Sequence, residues 1–278
     1  MKIHYIFSVK HASVREPIQS VIDTHCHVLP GIDDGAYDEE ETLEICRMAL
    51  EDGIHTIVAT PHSFDGQYVN LPDRVIQLTG RINDLLAVCN VPLTVLPGME
   101  LRIVPELLDL LKQGSVLTLN EHKYVLLEFH PSQLPAGFEF LVQKVVDEGY
   151  GLILAHPEKN QGIQNSPDYL YTLLKRFEPW DVLVQITAGS LTGRNGHRAS
   201  RTSRILLENN LGHLIASDAH DSTVRPPGLS SAVRACTKIV GQERAKLMVG
   251  AIPEAVLGRG PFPDYWEPRS PRRWWRIR

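Results

Sequence analysis

Residues 21–35, Val-Ile-Asp-Thr-His-Cys-His-Val-Leu-Pro-Gly-Ile-Asp-Asp-Gly, contain the pattern that decides the fold. The β-branched and aliphatic start of this stretch predicts a buried strand over Val21–Thr24. Side chains alternate along a strand, so His25 and His27 should point to one side and Cys26 to the other. The stretch therefore predicts a strand that delivers two imidazoles at its carboxyl end.

Similar short apolar runs recur along the chain, separated by longer amphipathic segments. The predicted strands are Val21–Thr24, Thr56–Ala59, Leu93–Leu96, Tyr124–Phe129, Gly151–Ala155, Val182–Thr187 and His213–Ser217. A helix is predicted between Asp38 and Gly53, and further helical patterns occupy about 72–89, 104–113, 136–148, 167–177, 198–210 and 229–250. This alternation is typical of a parallel α/β fold. Because no Pro/Gly/Ser-rich linker divides the repeats, we predict one barrel-like domain.

Three segments are expected: an N-terminal extension over 1–20, the barrel over 21–258 and an irregular tail over 259–278. The tail contains four prolines and six arginines. Its last ten residues combine five arginines with Trp274 and Trp275. This composition suits peripheral contact with an anionic membrane surface or an acidic partner, and it also suits a plain solvated tail.

Composition excludes several classes of protein. The chain has 278 residues, of which 43% are hydrophobic, and this is enough for a full-sized core. A formal charge of −5 argues against a nucleic-acid partner, because the phosphate backbone requires a broad basic surface. No apolar run approaches the roughly 20 residues that span a bilayer, and no clear signal-peptide cleavage site follows the N-terminus. Four widely spaced cysteines resemble neither a disulfide framework nor a zinc knuckle, so we expect a cytoplasmic protein.

Metal-binding side chains follow nearly every predicted strand. They are His25, His27, His62, Glu100, Glu128, His156, Asp218 and His220. The carboxyl ends of the strands in a parallel barrel meet on one face, where such folds build their active sites. One of these residues alone would be ordinary, but the repeated placement predicts a multinuclear metal site. Nitrogen and oxygen ligands without thiolate suit Mn²⁺, Fe or Zn²⁺ and do not choose among them.

Two acidic and two basic residues near these motifs are further candidates for the site. Asp33 and Asp34 lie in a glycine-flanked turn, which is common without any ligand role, but their place after His-x-His favours metal binding. Lys159 and Arg225 lie beside the metal-binding motifs, and Arg225 is the better candidate because guanidinium grips phosphate through two hydrogen bonds. Residues 187–196 are interpreted as a loop that covers an anionic substrate or as a plain flexible loop.

The ordered motifs Asp-x-His-x-His, Asp-Asp-Gly, Thr-Pro-His, Pro-Gly-x-Glu, Leu-Glu-Phe, Ala-His-Pro-Glu and Ser-Asp-Ala-His resemble those of the PHP (polymerase and histidinol phosphatase) superfamily. More closely, the chain resembles the bacterial manganese-dependent protein-tyrosine phosphatases that act with capsule and exopolysaccharide tyrosine kinases. The resemblance extends from Val21 to Leu257. It implies a distorted (β/α)7 barrel of PHP type with three metal ions.

The resemblance also implies which residues hold each ion. The first ion would be held by His25, His27, Glu100 and Asp218, the second by a bridging Glu100 with Glu128 and His156, and the third by Asp34, His62 and His220. Asp34 is favoured over Asp33 as the ligand. Mn²⁺ is the expected ion, with Fe, Zn²⁺ or Mg²⁺ as alternatives. Lys159 replaces an arginine usual in these phosphatases, which keeps the charge but loses the bidentate fork.

The implied function is hydrolysis of phosphotyrosine, on a bacterial tyrosine autokinase, by attack of a metal-bound hydroxide. Arg225 and Lys159 would steady the phosphoryl group. Three alternatives stay open: a small-molecule phosphatase acting on a substrate such as histidinol phosphate, a phosphodiesterase, and a metal-binding regulatory module without activity.

A cysteine-dependent tyrosine phosphatase is disfavoured. Such an enzyme needs an arginine six residues after its nucleophilic cysteine, and the four corresponding positions hold Ile32, Asp52, Val95 and Gln242.

Overall fold

A computed structural model describes residues 21–271 of the chain. All strands in this part pair in parallel. They are β1 (Val21–Cys26), β2 (Ile54–Ala59), β3 (His62–Ser63), β4 (Thr94–Pro97), β5 (Glu100–Arg102), β6 (Tyr124–Glu128), β7 (Gly151–Ala155), β8 (Val182–Thr187) and β9 (Leu214–Ala216). Each predicted strand is present. The short strands β3 and β5, which were not predicted, prolong β2 and β4.

The strands close into a barrel. One sheet has the order β1-β2-β4, and the other has the order β3-β5-β6-β7-β8-β9. The chain itself joins the two sheets, because β2 leads into β3 and β4 leads into β5. The remaining seam is crossed by a bridge between Cys26 and Ala219, where the backbone N–H of His27 donates to the Ala219 carbonyl at 2.8 Å. The predicted distorted (β/α)7 barrel is confirmed.

Within the described residues, helices connect most of the strands, and three more follow the last strand. They are α1 (Glu39–Glu51), α2 (Pro72–Val88), α3 (Leu107–Lys112), α4 (Phe138–Asp147), α5 (Gln161–Asn165), α6 (Asp168–Leu174), α7 (Ala188–Leu191), α8 (Gly196–Glu208), α9 (Ser230–Val240), α10 (Gln242–Leu247) and α11 (Ala251–Val256). The single helix predicted over 229–250 is divided into α9 and α10. The break lies at Gly241, whose φ of 86° is incompatible with a continuous helix.

Local sequence signals explain the first strand-to-helix unit. The side chain of Asp38 accepts a hydrogen bond from the backbone N–H of Glu41 at 3.0 Å and caps α1. Acidic residues Glu39–Glu41 occupy the first turn, where the helix dipole favours negative charge. At the other end, Gly53 adopts a φ of 94° and turns the chain into β2.

Strand alternation divides the core into two layers. Outward-facing residues pack against the helices. Inward-facing residues such as Ile22, Val58, Leu126 and Leu183 fill the barrel interior. The polar side chains that follow at the strand ends therefore lie above an apolar floor.

Residues 259–271 pack beneath this floor. Phe262 stacks on Trp180 with ring centroids 4.7 Å apart, and the ring of Trp266 lies 4.2 Å from the Arg244 guanidinium. Trp266 also stacks on His213, which immediately precedes β9. The extension 1–20 and residues 272–278, including the predicted membrane-contact residues, lie outside the described part. Within residues 21–271, no helix combines the length and apolarity needed to cross a membrane.

Candidate metal centre

The carboxyl ends of the strands bring His25 and His27 together. Their Nε2 atoms are 3.2 Å apart, and they lie 3.1 and 3.3 Å from Oε2 of Glu100. Cys26, between them in the sequence, packs into the outer apolar layer. The alternation along β1 therefore directs both imidazoles into the mouth of the barrel.

Glu100 lies at the centre of the cluster. Besides His25 and His27, it contacts His62 Nδ1 at 3.3 Å and His156 Nε2 at 2.9 Å. Burial alone would raise the pKa of Glu100, but the charge of His25 and the hydrogen bond from His156 hold it well below its usual value. A carboxylate that stays ionised among four imidazoles is suited to bridge cations.

All nine residues predicted as ligands take part in four overlapping groups. Within each group, the donor atoms lie within 4.8 Å of one another. The groups are His27, Asp34, His62 and His220; His25, His27 and Glu100; His25, His156 and Asp218; and His62, Glu100 and Glu128. His62 thus lies between two of the implied sites, and His156 lies with His25 and Asp218 while also contacting Glu100. Neighbouring groups in the structure therefore have more candidate ligands in common than the three sets that the resemblance implies.

The donor atoms of the cluster fit divalent cations. Nδ1 of His62, Oε2 of Glu100 and Nε2 of His220 are buried without a hydrogen-bond partner of good geometry in the described residues. Leaving a buried polar atom unpaired costs about 1–3 kcal/mol. With Oε1 of Glu128, four such atoms belong to one nitrogen and oxygen donor set, and such a set fits cations that accept both ligand types.

The adjacent aspartates Asp33 and Asp34 have different surroundings. The half-exposed Asp34 faces Nε2 of His62 at 3.6 Å and Nε2 of His220 at 3.4 Å. Asp33 turns inward, and its Oδ2 accepts hydrogen bonds from Nδ1 of His27 at 2.7 Å and from the backbone N–H of His62 at 3.0 Å. Asp34 therefore lies among the candidate ligands, and Asp33 lies behind one of them.

The contact with Asp33 changes the electrostatics of His27. Burial alone would lower the pKa of His27, but the charge of Asp33 and its hydrogen bond raise this pKa to about 10. The same contact fixes the ring, because the carboxylate accepts the proton on Nδ1 and leaves Nε2 directed at Glu100.

Tight backbone geometry supports the cluster at three points. A Cβ atom at Gly35 would lie 2.1 Å from the carbonyl oxygen of His27, so the Asp-Asp-Gly turn needs glycine there. His156 and Asp218 adopt left-handed conformations with φ of 33° and 55°. Such conformations cost on the order of 1–3 kcal/mol each and persist where the surrounding structure enforces them.

Residues that orient the candidate ligands were missed from the sequence. Gln185 lies 2.7 Å from Nδ1 of His25, and Asp23 accepts a hydrogen bond from the backbone N–H of Ser217 at 2.9 Å. Gln185 interrupts the apolar run of β8, and Asp23 opens the Asp-x-His-x-His motif, so both positions carry a signal that could have identified them. Arg102 lies 2.9 Å from Glu128 and follows no such pattern. Burial and the neighbouring Glu100 raise the pKa of Glu128 to about 8 against the opposing charge of Arg102.

A cavity of about 160 Å³ opens beside the cluster and is lined by both predicted basic residues. The Lys159 ammonium donates to Oδ2 of Asp218. Arg225 lies 3.2 Å from Oδ1 of the same carboxylate and 3.8 Å from Asp34. These two cations favour an anionic group in the cavity.

Residues 187–196, interpreted from the sequence as a loop, contain regular secondary structure. Residues Ala188–Leu191 form the short helix α7. The buried carboxylate of Glu158 accepts a hydrogen bond from the backbone N–H of Thr187 at 3.0 Å. This contact ties the start of the segment to the loop that carries His156.

The cysteines are poorly placed for thiol chemistry. Cys26, Cys46 and Cys236 are buried. Burial raises the pKa of the Cys26 thiol well above its usual value, and the nearby Asp23 raises it further. Because the thiolate is the nucleophilic form, the raised pKa disfavours Cys26 as a nucleophile.

Known proteins have sequences similar to that of this chain. The chain matches the family described as capsular polysaccharide synthesis, CpsB/CapC, over residues 21–258. The tyrosine-protein phosphatase YwqE of Bacillus subtilis is 40% identical over 223 residues, which are 80% of this chain and 86% of YwqE. The putative tyrosine-protein phosphatase CapC of Staphylococcus aureus is 32% identical over 206 residues, which are 74% of this chain and 79% of CapC.

A solved structure shares the fold as well. It comes from crystal structures of YwqE from Bacillus subtilis and CpsB from Streptococcus pneumoniae, described as unique metal-dependent tyrosine phosphatases. It matches with a TM-score of 0.84 and 36% identity, covering 90% of this chain and 98% of its own. The histidinol phosphate phosphatase of Lactococcus lactis, at 17% identity and a TM-score of 0.55, shares the fold alone. The chain therefore belongs to the CpsB/CapC family.

Proposed function

We propose that this chain is a metal-dependent protein-tyrosine phosphatase that hydrolyses phosphotyrosine on protein substrates. The observation that carries the proposal is the convergence of nine residues with candidate nitrogen and oxygen ligand atoms beside a small cavity lined by two cationic side chains. The relatives YwqE and CapC are named tyrosine-protein phosphatases, which supports the same reaction here.

The proposed ions are Mn²⁺, in up to three sites. Their ligands are His25, His27, Asp34, His62, Glu100, Glu128, His156, Asp218 and His220. Bound divalent ions would supply Lewis-acid activation of water and neutralisation of phosphoryl charge. Fe, Zn²⁺ and Mg²⁺ are the alternatives, because the mixed donor set also accepts them.

Arg225 and Lys159 would bind the oxygens of the phosphoryl group. Both now contact Asp218, and Arg225 is 40% exposed at the rim, so an arriving phosphate can exchange these contacts for its own. The cavity of about 160 Å³ is smaller than the roughly 300–1,000 Å³ of a pocket for a drug-sized ligand. It therefore suits the phosphoryl group alone, with the rest of the phosphotyrosine substrate outside the cavity. Tyrosine is a good leaving group, because its phenol has a pKa of about 10.

The proposed substrate is a bacterial tyrosine autokinase that controls capsule or exopolysaccharide synthesis; the description of the family names capsular polysaccharide synthesis, which supports the process but does not name the kinase. The net negative charge of the chain disfavours nucleic acid as the substrate. None of the four cysteines forms a disulfide, which supports action in the reducing cytoplasm.

Substrate comparison tests this proposal. Protein stripped of metal and reloaded with Mn²⁺ is assayed on a phosphotyrosine peptide, the matching phosphoserine peptide, histidinol phosphate and a single-stranded oligonucleotide. We expect the phosphotyrosine peptide to give the highest kcat/KM and His62→Ala to abolish the reaction. Faster turnover of histidinol phosphate or the oligonucleotide would reassign the substrate, and inactivity on all four would favour a regulatory module.

A further inference from the structure

Gln185 is a polar residue inside an apolar strand. All six residues of β8 are buried, and Leu183, which shares its face with Gln185, belongs to the apolar interior of the barrel. Gln185 is 1% exposed. Burying an amide costs free energy unless its hydrogen bonds are satisfied, so an aliphatic side chain would be the simpler choice at this position.

The amide of Gln185 is satisfied by two residues of β1. Its Oε1 lies 2.7 Å from Nδ1 of His25, and its Nε2 donates to the hydroxyl of Thr24 at 3.0 Å. A carbonyl oxygen only accepts, so this arrangement places the proton of His25 on Nδ1. The lone pair of Nε2 is then directed at the cluster, where Glu100 lies 3.1 Å away.

The opposite orientation of the amide would have the opposite effect. If the NH2 group faced His25, Nδ1 would have to accept and Nε2 would carry the proton. That proton would point at Glu100 and occupy the direction in which a cation binds. The orientation of Gln185 therefore decides whether His25 can act as a ligand.

A neutral partner also suits the charge of the site. His27 is oriented by the carboxylate of Asp33, and four further carboxylates, Asp34, Glu100, Glu128 and Asp218, already face the cluster. An amide orients His25 without adding another negative charge to a buried region. The two histidines of His-x-His are thus oriented by chemically different partners.

We propose that Gln185 is a positioning residue of the metal centre, which fixes the Nδ1–H tautomer of His25 and thereby sets the affinity for the ion that His25 binds. The inference rests on the metal centre of the proposed function but not on the identity of the substrate.

Three variants separate this role from packing. Gln185→Met removes the acceptor and keeps a side chain of similar length, whereas Gln185→Glu keeps an acceptor. Leu183→Ala is the matched control, because it weakens the same face of β8 and Leu183 belongs to the apolar cluster and not to the candidate ligands. Zn²⁺ affinity is measured by competition with a chromophoric chelator. The Nδ1–H resonance of His25 is followed in Zn²⁺-loaded protein carrying ring-¹⁵N histidine.

We expect Gln185→Met to weaken Zn²⁺ binding by about 10–100-fold, the usual effect of losing a hydrogen bond that orients a ligand. It should also abolish the slowly exchanging Nδ1–H signal. Gln185→Glu should recover both properties to within a few-fold, and Leu183→Ala should lower the Tm without changing Zn²⁺ affinity.

Unchanged Zn²⁺ affinity in Gln185→Met, or equal losses in all three variants, would overturn the role. Wild-type protein that binds no Zn²⁺ would overturn the role together with the proposed centre. The predicted order of affinities in a protein inactive on phosphotyrosine would uphold the role of Gln185 and refute only the proposed substrate.

Discussion

The adjacent aspartates of the first loop provide a sharp test of the site, because they differ in position but not in chemistry. The perturbation is Asp33→Asn compared with Asp34→Asn. Asparagine at position 33 can still accept the hydrogen bond that Gly35 N–H donates to Oδ1 at 2.9 Å. Its NH2 group then takes the place of Oδ2 and faces two donors, Nδ1 of His27 and the backbone N–H of His62.

The expected magnitude follows from those two contacts. Hydrogen bonds to a charged group contribute about 1.5–3 kcal/mol each, so the free energy of unfolding should fall by about that amount if only the contact with His62 is lost, and by up to twice as much if both contacts are lost. His27 can relieve the clash by moving its proton to Nε2, which opposes metal binding. Losing such an orienting contact weakens metal affinity by about 10–100-fold, which corresponds to about 1.4–2.8 kcal/mol.

The assay is metal titration followed by elemental analysis at saturating Mn²⁺. Asp33→Asn should bind the same number of ions as the wild type, but only at higher free Mn²⁺. Asp34→Asn removes the charge of a candidate ligand and should bind one ion fewer, because a neutral amide oxygen is a weaker ligand than a carboxylate. If Asp33→Asn loses an ion and Asp34→Asn does not, the assignment of the two residues is reversed and the reasoning fails.

Three further outcomes are expected. Arg225→Ala should lower kcat on the phosphotyrosine peptide by about 10²–10³-fold, as for loss of a donor to a developing anion, with metal content unchanged; equal kcat would exclude contact with the phosphoryl group. Truncation after residue 258 removes Phe262 and Trp266 and should lower the Tm by roughly 5–10 °C, and an unchanged Tm would show that their packing does not stabilise the barrel. Burial lowers the pKa of His213 to about 3, so its contribution to stability is present above about pH 6.5 and is lost towards pH 3. The free energy of unfolding of the wild type and of His213→Phe is measured with urea across that range, and the advantage of the wild type should shrink by at most about 1.4 kcal/mol for each unit of falling pH. A constant difference would contradict burial of a neutral imidazole.

Local patterns in the sequence account for the barrel and for the ligand types. Alternation of apolar residues predicted β1 and the direction of His25 and His27, because a strand has a period of two regardless of its neighbours. The short strands β3 and β5 escaped prediction, since two or three residues carry no recognisable period. Gly241 divides a helix that apolar spacing alone predicted as continuous.

Contacts between distant segments could not be predicted in the same way. Gln185 and His25 are 160 positions apart in the sequence. Their contact depends on how β8 and β1 are staggered in the barrel, which no local period reports. Local spacing alone also could not separate Asp33 from Asp34, and Asp34 is favoured only with the resemblance, because the difference between them arises from a turn that brings Gly35 against the backbone of His27.

The central claim is that a metal centre, and not a thiol, hydrolyses the substrate. The most direct test measures turnover of a phosphotyrosine peptide by protein stripped of metal, with and without added Mn²⁺. The proteins compared are the wild type, His25→Ala and Cys26→Ser. We predict that Mn²⁺ restores activity to the wild type and to Cys26→Ser but not to His25→Ala. Activity that survives metal removal, or that disappears in Cys26→Ser while metal content is retained, would contradict the account.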